Sequence, residues 1–351
     1  MKRLTIRDVA ARAGVSLGTV SNVLNRPDLV APETRERVLE AIDAIGFVRN
    51  NAARQLRGIR SSAIALVVLD IDNPFFTEVA RGVEDAANEH DHLVILCSSA
   101  GERTREDRQL RALEEQRVAG VLISPAGKMP SQRIHELRGR GTPVVLLHRN
   151  RRPREQCSAA VNDTSGGRLV AEHLVSLGHE RIGFINGPIA LKPCAERRAG
   201  LLEILEAHGL GLAPQHDLET AHMTINAGEE AAARLLGQRR LPTAIFCAND
   251  LLAIGAEHAA LTRGLRVPDD LAIVGYDDIR YAAMSFVPLT SVHMPAYELG
   301  YRATKLLVDE VHNGSRHQHQ RLLFEPELIV RQSTLTGDGR PAAAAEAVRS
   351  A

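Results

Sequence analysis

Tryptophan is absent from the 351 residues, and aromatic side chains of all kinds make up only 3% of them. With 4 tyrosines and 7 phenylalanines in the chain, the adjacent pair Phe75-Phe76 stands out as a candidate ring platform. Long hydrophobic runs are missing too. Stretches such as Ala63 to Leu69 and Val144 to Leu147 fall far short of the roughly 20 apolar residues that cross a bilayer, which excludes a spanning helix. The N-terminus opens Met-Lys-Arg but continues through Thr5, Arg7, Asp8 and Arg12. No apolar segment or small-residue cleavage site follows the charge, so the protein is expected to stay in the cytoplasm. Cys97, Cys157, Cys194 and Cys247 lie tens of residues apart without a Cys-x-x-Cys pair. They are read as reduced core or near-core thiols.

Signatures of catalysis are also scarce. There is no Gly-x-x-x-x-Gly-Lys-Ser/Thr loop and no His-Glu-x-x-His helix, and Gly209-Leu-Gly211 lacks the third glycine of a nucleotide fingerprint. His312, His317 and His319 match no closed zinc spacing and read as a solvated polar stretch. No catalytic residue, metal site or cofactor is therefore expected. Net charge is zero overall, but unevenly spread: residues 1–62 hold 11 Lys/Arg against 6 Asp/Glu, and the rest 32 against 37. A basic head on an acidic body points to a polyanion at the N-terminus.

What is present is an ordinary globular composition, 44% hydrophobic and 25% charged, enough for two or three compact units. From Thr5 to Gly46 the apolar residues keep helical period: Ile6, Val9, Ala10 and Ala13; then Val20, Val23 and Leu24; then Val38, Ala41, Ile42 and Ile45. Thr5 and Ser16 suit N-caps, Pro32 a first turn and Gly46 a C-cap. Residues 50–60 hold one short helix-forming run. From Ser62 onward apolar strands alternate with amphipathic helices, the pattern of βαβ units on a parallel sheet. The fold expected is an all-α helix-turn-helix head plus an α/β core of two doubly wound parallel-sheet subdomains. The boundaries expected are 1–48 for the head, 49–61 for a hinge, 62–160 with 292–323 for one subdomain, 161–291 with 324–336 for the other, and a disordered tail over 337–351.

The second helix of a helix-turn-helix lies in the major groove and must keep one apolar face on its partners. At about 100° per residue, Val20, Val23 and Leu24 fall on one side while Gly18, Ser21 and Asn22 fall opposite. Asn22 suits adenine or a phosphate bridge, Gly18 allows close backbone approach, and Leu17 suits a thymine methyl. Thr5, Ser16, Thr19, Ser21 and Asn25 are of the type that hold phosphates. Two plainer readings stay open: Thr5 and Ser16 as caps only, and Leu17 as core.

The run Thr5-Ile6-x-Asp8-Val9-Ala10-x-x-Ala13-Gly14-Val15-Ser16-x-x-Thr19-Val20-Ser21-x-Val23-Leu24-Asn25 resembles the N-terminal motif of the lac repressor/galactose repressor family of bacterial transcription regulators. The resemblance continues through Thr34-Arg35-x-x-Val38, Gly178-His179-x-Arg181-Ile182, Ala248-Asn249-Asp250 and Val274-Gly275-Tyr276-Asp277-Asp278, so that it covers about residues 3–335. It implies a hinge helix after the head and a core like type I periplasmic sugar-binding proteins. It further implies that Leu56 wedges into the minor groove at an operator centre, with Ala53 and Arg54 along the same groove. A solvated linker is the alternative for that segment off DNA.

Ligands of open α/β sheets gather at the carboxyl ends of the strands. Asp72-Asn73-Pro74-Phe75-Phe76, His148-Arg149, Asn249-Asp250 and Asp277-Asp278 follow apolar strands here, and amides, carboxylates, guanidinium groups and a ring suit a polyhydroxylated molecule. The resemblance implies that Phe75, Arg197 of Arg-x-x-Gly, Asn249 and Asp277 face an effector. His148 stands where many relatives carry aspartate, and Met294 where the position is often polar. Phe76 as core, Asp250 as an N-cap and Asp277 as a turn residue are the competing assignments. The reading is a DNA-binding regulator, expected to be a repressor, that acts as a homodimer on a double-stranded operator under control of a sugar-like effector. The rivals are a transport binding protein, opposed by the basic head and missing export signal, and an enzyme on a doubly wound sheet, opposed by the missing catalytic constellation.

Overall fold

A computed structural model describes residues 4–48, 61–127, 130–148 and 156–335, which divide into two compact units meeting at Ser61 and Ser62. Ala53, Arg54, Leu56, Arg149 and the expected tail lie outside the described residues.

The first unit is built from α1 (Ile6–Ala13), α2 (Leu17–Asn25) and α3 (Pro32–Ile45), with a short 3₁₀ turn at Pro27–Leu29. Thr5 caps α1 in a capping box with Asp8, and Ser16 caps α2 by accepting from the Thr19 amide at 3.0 Å. Such a cap contributes about 1 kcal/mol. Gly14 and Gly46 close α1 and α3 in the left-handed conformation, at φ 65° and 64°, a region that costs a side chain steric strain. Val9, Val20 and Val38 are fully buried and meet with Ala10, Ala13, Val23, Ala41 and Phe47 in one small core. The helical period read from the sequence is thus the period of burial.

In the second unit a first sheet is formed by β1 (Ala63–Val68), β2 (Leu93–Ser98), β3 (Val121–Ile123), β4 (Val144–Leu147), β5 (Ser158–Val161) and β11 (Arg321–Phe324), in the order β11-β5-β4-β3-β1-β2. A second is formed by β6 (Ile182–Asn186), β7 (Asp217–Glu219), β8 (Ala244–Cys247), β9 (Ala272–Asp277), β10 (Thr290–His293) and β12 (Glu327–Ile329), in the order β12-β10-β9-β8-β6-β7. All pairings are parallel except β10 with β12. The connecting helices are α4 (Pro74–Asn88), α5 (Arg103–Glu115), α6 (Gln132–Gly139), α7 (Asp163–Ser176), α8 (Lys192–Ala207), α9 (Ile225–Leu236), α10 (Asp250–Thr262) and α11 (Ala296–Asn313).

The chain leaves the first sheet after β5, returns to it after β10, and leaves again after β11. Asn162, at the first crossing, donates Nδ2 to both carboxylate oxygens of Glu325, at the third, at 3.1 Å. β10 belongs to the second sheet through His293, so the expected boundary at 291/292 cuts a strand. Helices α7 and α8 pack closely because Gly200 carries no side chain: a Cβ there would stand 2.0 Å from the Thr164 carbonyl oxygen. That approach carries Arg197, one turn earlier, inward. No described helix is long and apolar enough to cross a membrane.

Candidate nucleic-acid interface and ligand cleft

On the head, the buried side of α2 is Val20 and Val23, while Leu17 is 41% exposed. Gly18 and Asn22 are exposed with it, so the solvent face of α2 presents a methyl group, a bare backbone and an amide. Leu17 is not core, which settles that alternative. Ser16 Oγ and Thr19 Oγ1 are 2.9 Å apart, and Asn25 Nδ2 donates to the Ser21 carbonyl at 2.8 Å. Thr5 donates its hydroxyl to Asp8 Oδ2 at 2.7 Å. These polar groups are preorganised by one another, and Thr5 and Ser16 serve as caps whatever else they bind. Gly14-Val15-Ser16-Leu17-Gly18 also spells a nucleophile elbow, but that motif requires a strand before the serine. Here the serine joins two helices.

In the second unit the segments that follow the carboxyl ends of β1, β2, β3, β6, β7 and β8 line a cleft of about 480 Å³, with Asp72, Phe76, Arg103, Met223 and Asn249 among its walls. This lies within the roughly 300–1,000 Å³ usual for small-molecule sites. It continues into an inner compartment of about 30 Å³ whose walls include Phe75, His148, Arg197, Asp277 and Met294. Four of the sequence-derived ligand residues therefore meet in the inner compartment and Asn249 stands in the outer cleft. A volume of that size holds a water or two rather than a sugar ring.

The inner wall is aromatic on one side. Phe75, Phe76 and His148 have ring centroids 5.2 to 5.8 Å apart. Phe76 is buried, as the core reading has it, yet it also lines both compartments. The opposite wall is ionic. Arg197 Nε donates to Asp163 Oδ1 at 2.8 Å, its Nη1 donates to the Ala248 carbonyl and lies 3.6 Å from Asp277 Oδ1, and its guanidinium sits 3.6 Å over the Tyr276 ring. Asn73 donates Nδ2 to Asp277 Oδ2 at 3.0 Å while its Oδ1 caps α4. Burial opposes the charge on Arg197, but Asp163, then Tyr276 and Asp277, hold it firmly protonated. Burial pushes the Asp277 carboxyl up to about 6, against the pull of Arg197 and Asn73. Arg197 lies closer to Asp163 than to Asp277, so its charge is shared and compensates Asp277 only in part.

Two sequence expectations fail locally. Asp250 does not cap α10; Asn249 does, its Oδ1 accepting from the Leu252 amide at 2.9 Å. Asp250 is instead fully buried, accepting from Ser291 Oγ at 2.6 Å and the Ile279 amide at 2.8 Å. Its carboxyl is raised well above the usual range by burial and by Asp277. Asn249 spends its side chain on the cap and on the Met223 carbonyl, so it shapes the cleft before it binds anything. The histidine stretch is not a solvated loop either: His312 lies in the last turn of α11, and the His317 side chain is fully covered, bonded to Asp309. Asp163, Asn73 and Tyr276 were not singled out individually from the sequence. Their signal is three-dimensional, since each acts by holding Arg197 or Asp277.

Comparison with known proteins places these features. Residues 5–50 match the family described as bacterial regulatory proteins, lacI family, and residues 171–334 match the periplasmic binding protein-like domain. The ribose operon repressor of Halalkalibacterium halodurans is 35% identical over 334 residues, 95% of this chain and 98% of that protein. Among solved structures, the transcriptional regulator CelR in complex with cellobiose is similar at 32% identity and a TM-score of 0.70, over 94% of this chain and 100% of that one. The lac repressor dimer bound to operator and the anti-inducer ONPF is similar at 26% identity and a TM-score of 0.82, over 95% of this chain and 100% of that one.

Proposed function

The chain belongs to the lacI family of bacterial regulatory proteins, and from that premise we propose that a sugar or sugar derivative, held between the two sheets, controls its grip on DNA. It is a DNA-binding transcriptional repressor and not an enzyme. Two copies act as a homodimer in the cytoplasm on a pseudo-palindromic operator, each head placing α2 in the major groove, with Leu17, Gly18 and Asn22 toward the bases and Thr5, Ser16, Thr19, Ser21 and Asn25 toward phosphates.

The observation that carries the ligand class is the pairing of walls in the inner compartment: rings of Phe75 and His148 face the Arg197–Asp277 pair across it. Apolar C–H faces lie against rings while hydroxyls donate to Asp277 and accept from Arg197. The compartment is too small for a sugar ring as it stands, so entry requires the two sheets to part about the crossings at Asn162, Pro295 and Glu325. Ligand affinity then differs between parted and closed arrangements, and that difference couples the cleft to the heads.

A thermal-shift panel of pentoses, hexoses, disaccharides, sugar phosphates and nucleobases tests the class. A ligand that favours the folded state raises Tm. Sugars are expected to do so, and a response confined to nucleobases would overturn the assignment.

A further inference from the structure

Two stretches far apart in sequence, one at Cys157 and one over 310–319, bring metal-binding side chains together at the edge of the first sheet. Cys157 immediately precedes β5, Glu310 lies in the last turn of α11, and His317 and His319 lie in the segment leading into β11. One ligand-type atom from each of the four lies within 4.8 Å of the others. We propose that Cys157, Glu310, His317 and His319 form a four-coordinate site for one divalent transition-metal ion of the zinc type.

The geometry fits a tetrahedral ion. With Zn–S near 2.3 Å and Zn–N near 2.0 Å, the S···N edge of a tetrahedron is about 3.5 Å. Cys157 Sγ lies 3.1 Å from His317 Nε2 and 3.9 Å from His319 Nδ1, and His319 Nδ1 lies 3.9 Å from Glu310 Oε2. Small side-chain adjustments would bring all of them onto a common ion.

The surroundings are built as a metal site's are. His317 holds Asp309 through Nδ1, which leaves the Nε2 lone pair aimed at the sulfur, the carboxylate–histidine arrangement that orients a ligand. The Gln320 amide donates to Cys157 Sγ at 3.3 Å, a bond that strengthens on a thiolate. Glu310 Oε2 is buried without a hydrogen-bond partner, a costly condition that an ion would relieve. Thiolate and carboxylate together neutralise a dipositive ion, which matters because the Arg138 cation bears on Cys157, Glu310 and His319. His319 keeps 24% of its side chain exposed, which supplies an entry path. Binding replaces the thiol proton of Cys157 with the ion, and the proton goes to solvent. The ion would pin the α11–β11 return to β5, a structural role distinct from the cleft.

The test uses the full-length chain, stripped with a chelator and titrated with Co²⁺. One Co²⁺ per chain is expected, with tetrahedral d–d bands and a thiolate-to-cobalt charge-transfer band, both displaced by Zn²⁺; Zn²⁺ alone should raise Tm. Cys157→Ser should abolish the charge-transfer band. His319→Gln, at a partly exposed position that leaves the fold intact, should abolish the tetrahedral bands. Asp309→Asn should keep the charge-transfer band while weakening affinity by about tenfold to a hundredfold. The site is wrong if the wild-type chain shows no charge-transfer band, if that band survives in Cys157→Ser, or if Zn²⁺ leaves the wild-type Tm unchanged.

Discussion

Arg197 and Asp277 face each other at 3.6 Å with only 5% and 4% of their side chains exposed, and the nearer carboxylate of Asp163 takes the larger share of the guanidinium charge. Asp277 is therefore an ionised group that the fold holds at a cost. Its carboxyl is pushed up from 3.8 to about 6. A raised pKa means the folded state binds the proton more tightly than the unfolded chain. The stabilising contribution is complete below about pH 4 and is lost as pH rises through about 6.

Asp277→Asn removes this dependence. The stability of the wild-type chain relative to the variant should fall by roughly 3 kcal/mol between pH 4 and pH 7, from about 1.4 kcal/mol per pKa unit. Urea denaturation of both proteins across that range measures it. A flat difference would show that Asp277 titrates normally.

Arg197→Ala should be severe, because it leaves Asp163 and Asp277 buried without their counter-charge. Breaking a buried pair from one side costs about 3–5 kcal/mol. Below its lowered Tm the variant should still bind operator, since the head has its own core, but should show no ligand-induced shift. A wild-type-sized shift would remove Arg197 from the site.

Two glycines separate packing from recognition. Gly200→Ala drives a Cβ to 2.0 Å from the Thr164 carbonyl oxygen, so α7 and α8 must part. Chemical denaturation should show a loss of about 1–3 kcal/mol, with weaker ligand response as Arg197 shifts. Gly18→Ala meets only Ser16 Oγ at 3.5 Å. It should stabilise the head by about 0.5–1 kcal/mol while lowering operator affinity, because the added methyl faces the groove. Equal DNA affinity would mean that α2 does not approach the bases at Gly18.

Asn22→Ala should change which operator base pairs matter rather than weaken all DNA equally. A lost bidentate base contact costs about 1–3 kcal/mol at one position. Selection from a random duplex pool, run on wild-type and variant chains, reads this directly. Identical preferred sequences would assign Asn22 to the backbone.

Much of this was legible in the sequence because burial follows periodicity where cores are apolar. Val9, Val20 and Val38 mark the head, and β1, β4 and β8 are nearly unbroken apolar runs. Legibility ends where burial is polar. β10 is Thr-Ser-Val-His, yet Thr290 and Ser291 are fully buried, satisfied by Ser333, Thr334 and Asp250. β7, β11 and β12 are short edge strands with exposed positions, too brief for alternation to register. The Asp250 reading failed by one residue, since Asn249 and Asp250 are both good caps and only the buried Ser291 and Ile279 amide decide between them. The histidine stretch misled because its partner, Cys157, lies 160 residues away from His317.

Under the proposed function, occupancy of the cleft governs the grip of the head on DNA. The direct measurement is the operator Kd of the full-length chain with and without a saturating sugar that raises its Tm, alongside Asp277→Asn. A change of about 5–150-fold in the wild-type chain, the usual range of allosteric coupling, and a much smaller one in the variant, is the predicted result. An operator Kd that the bound sugar leaves untouched would contradict it.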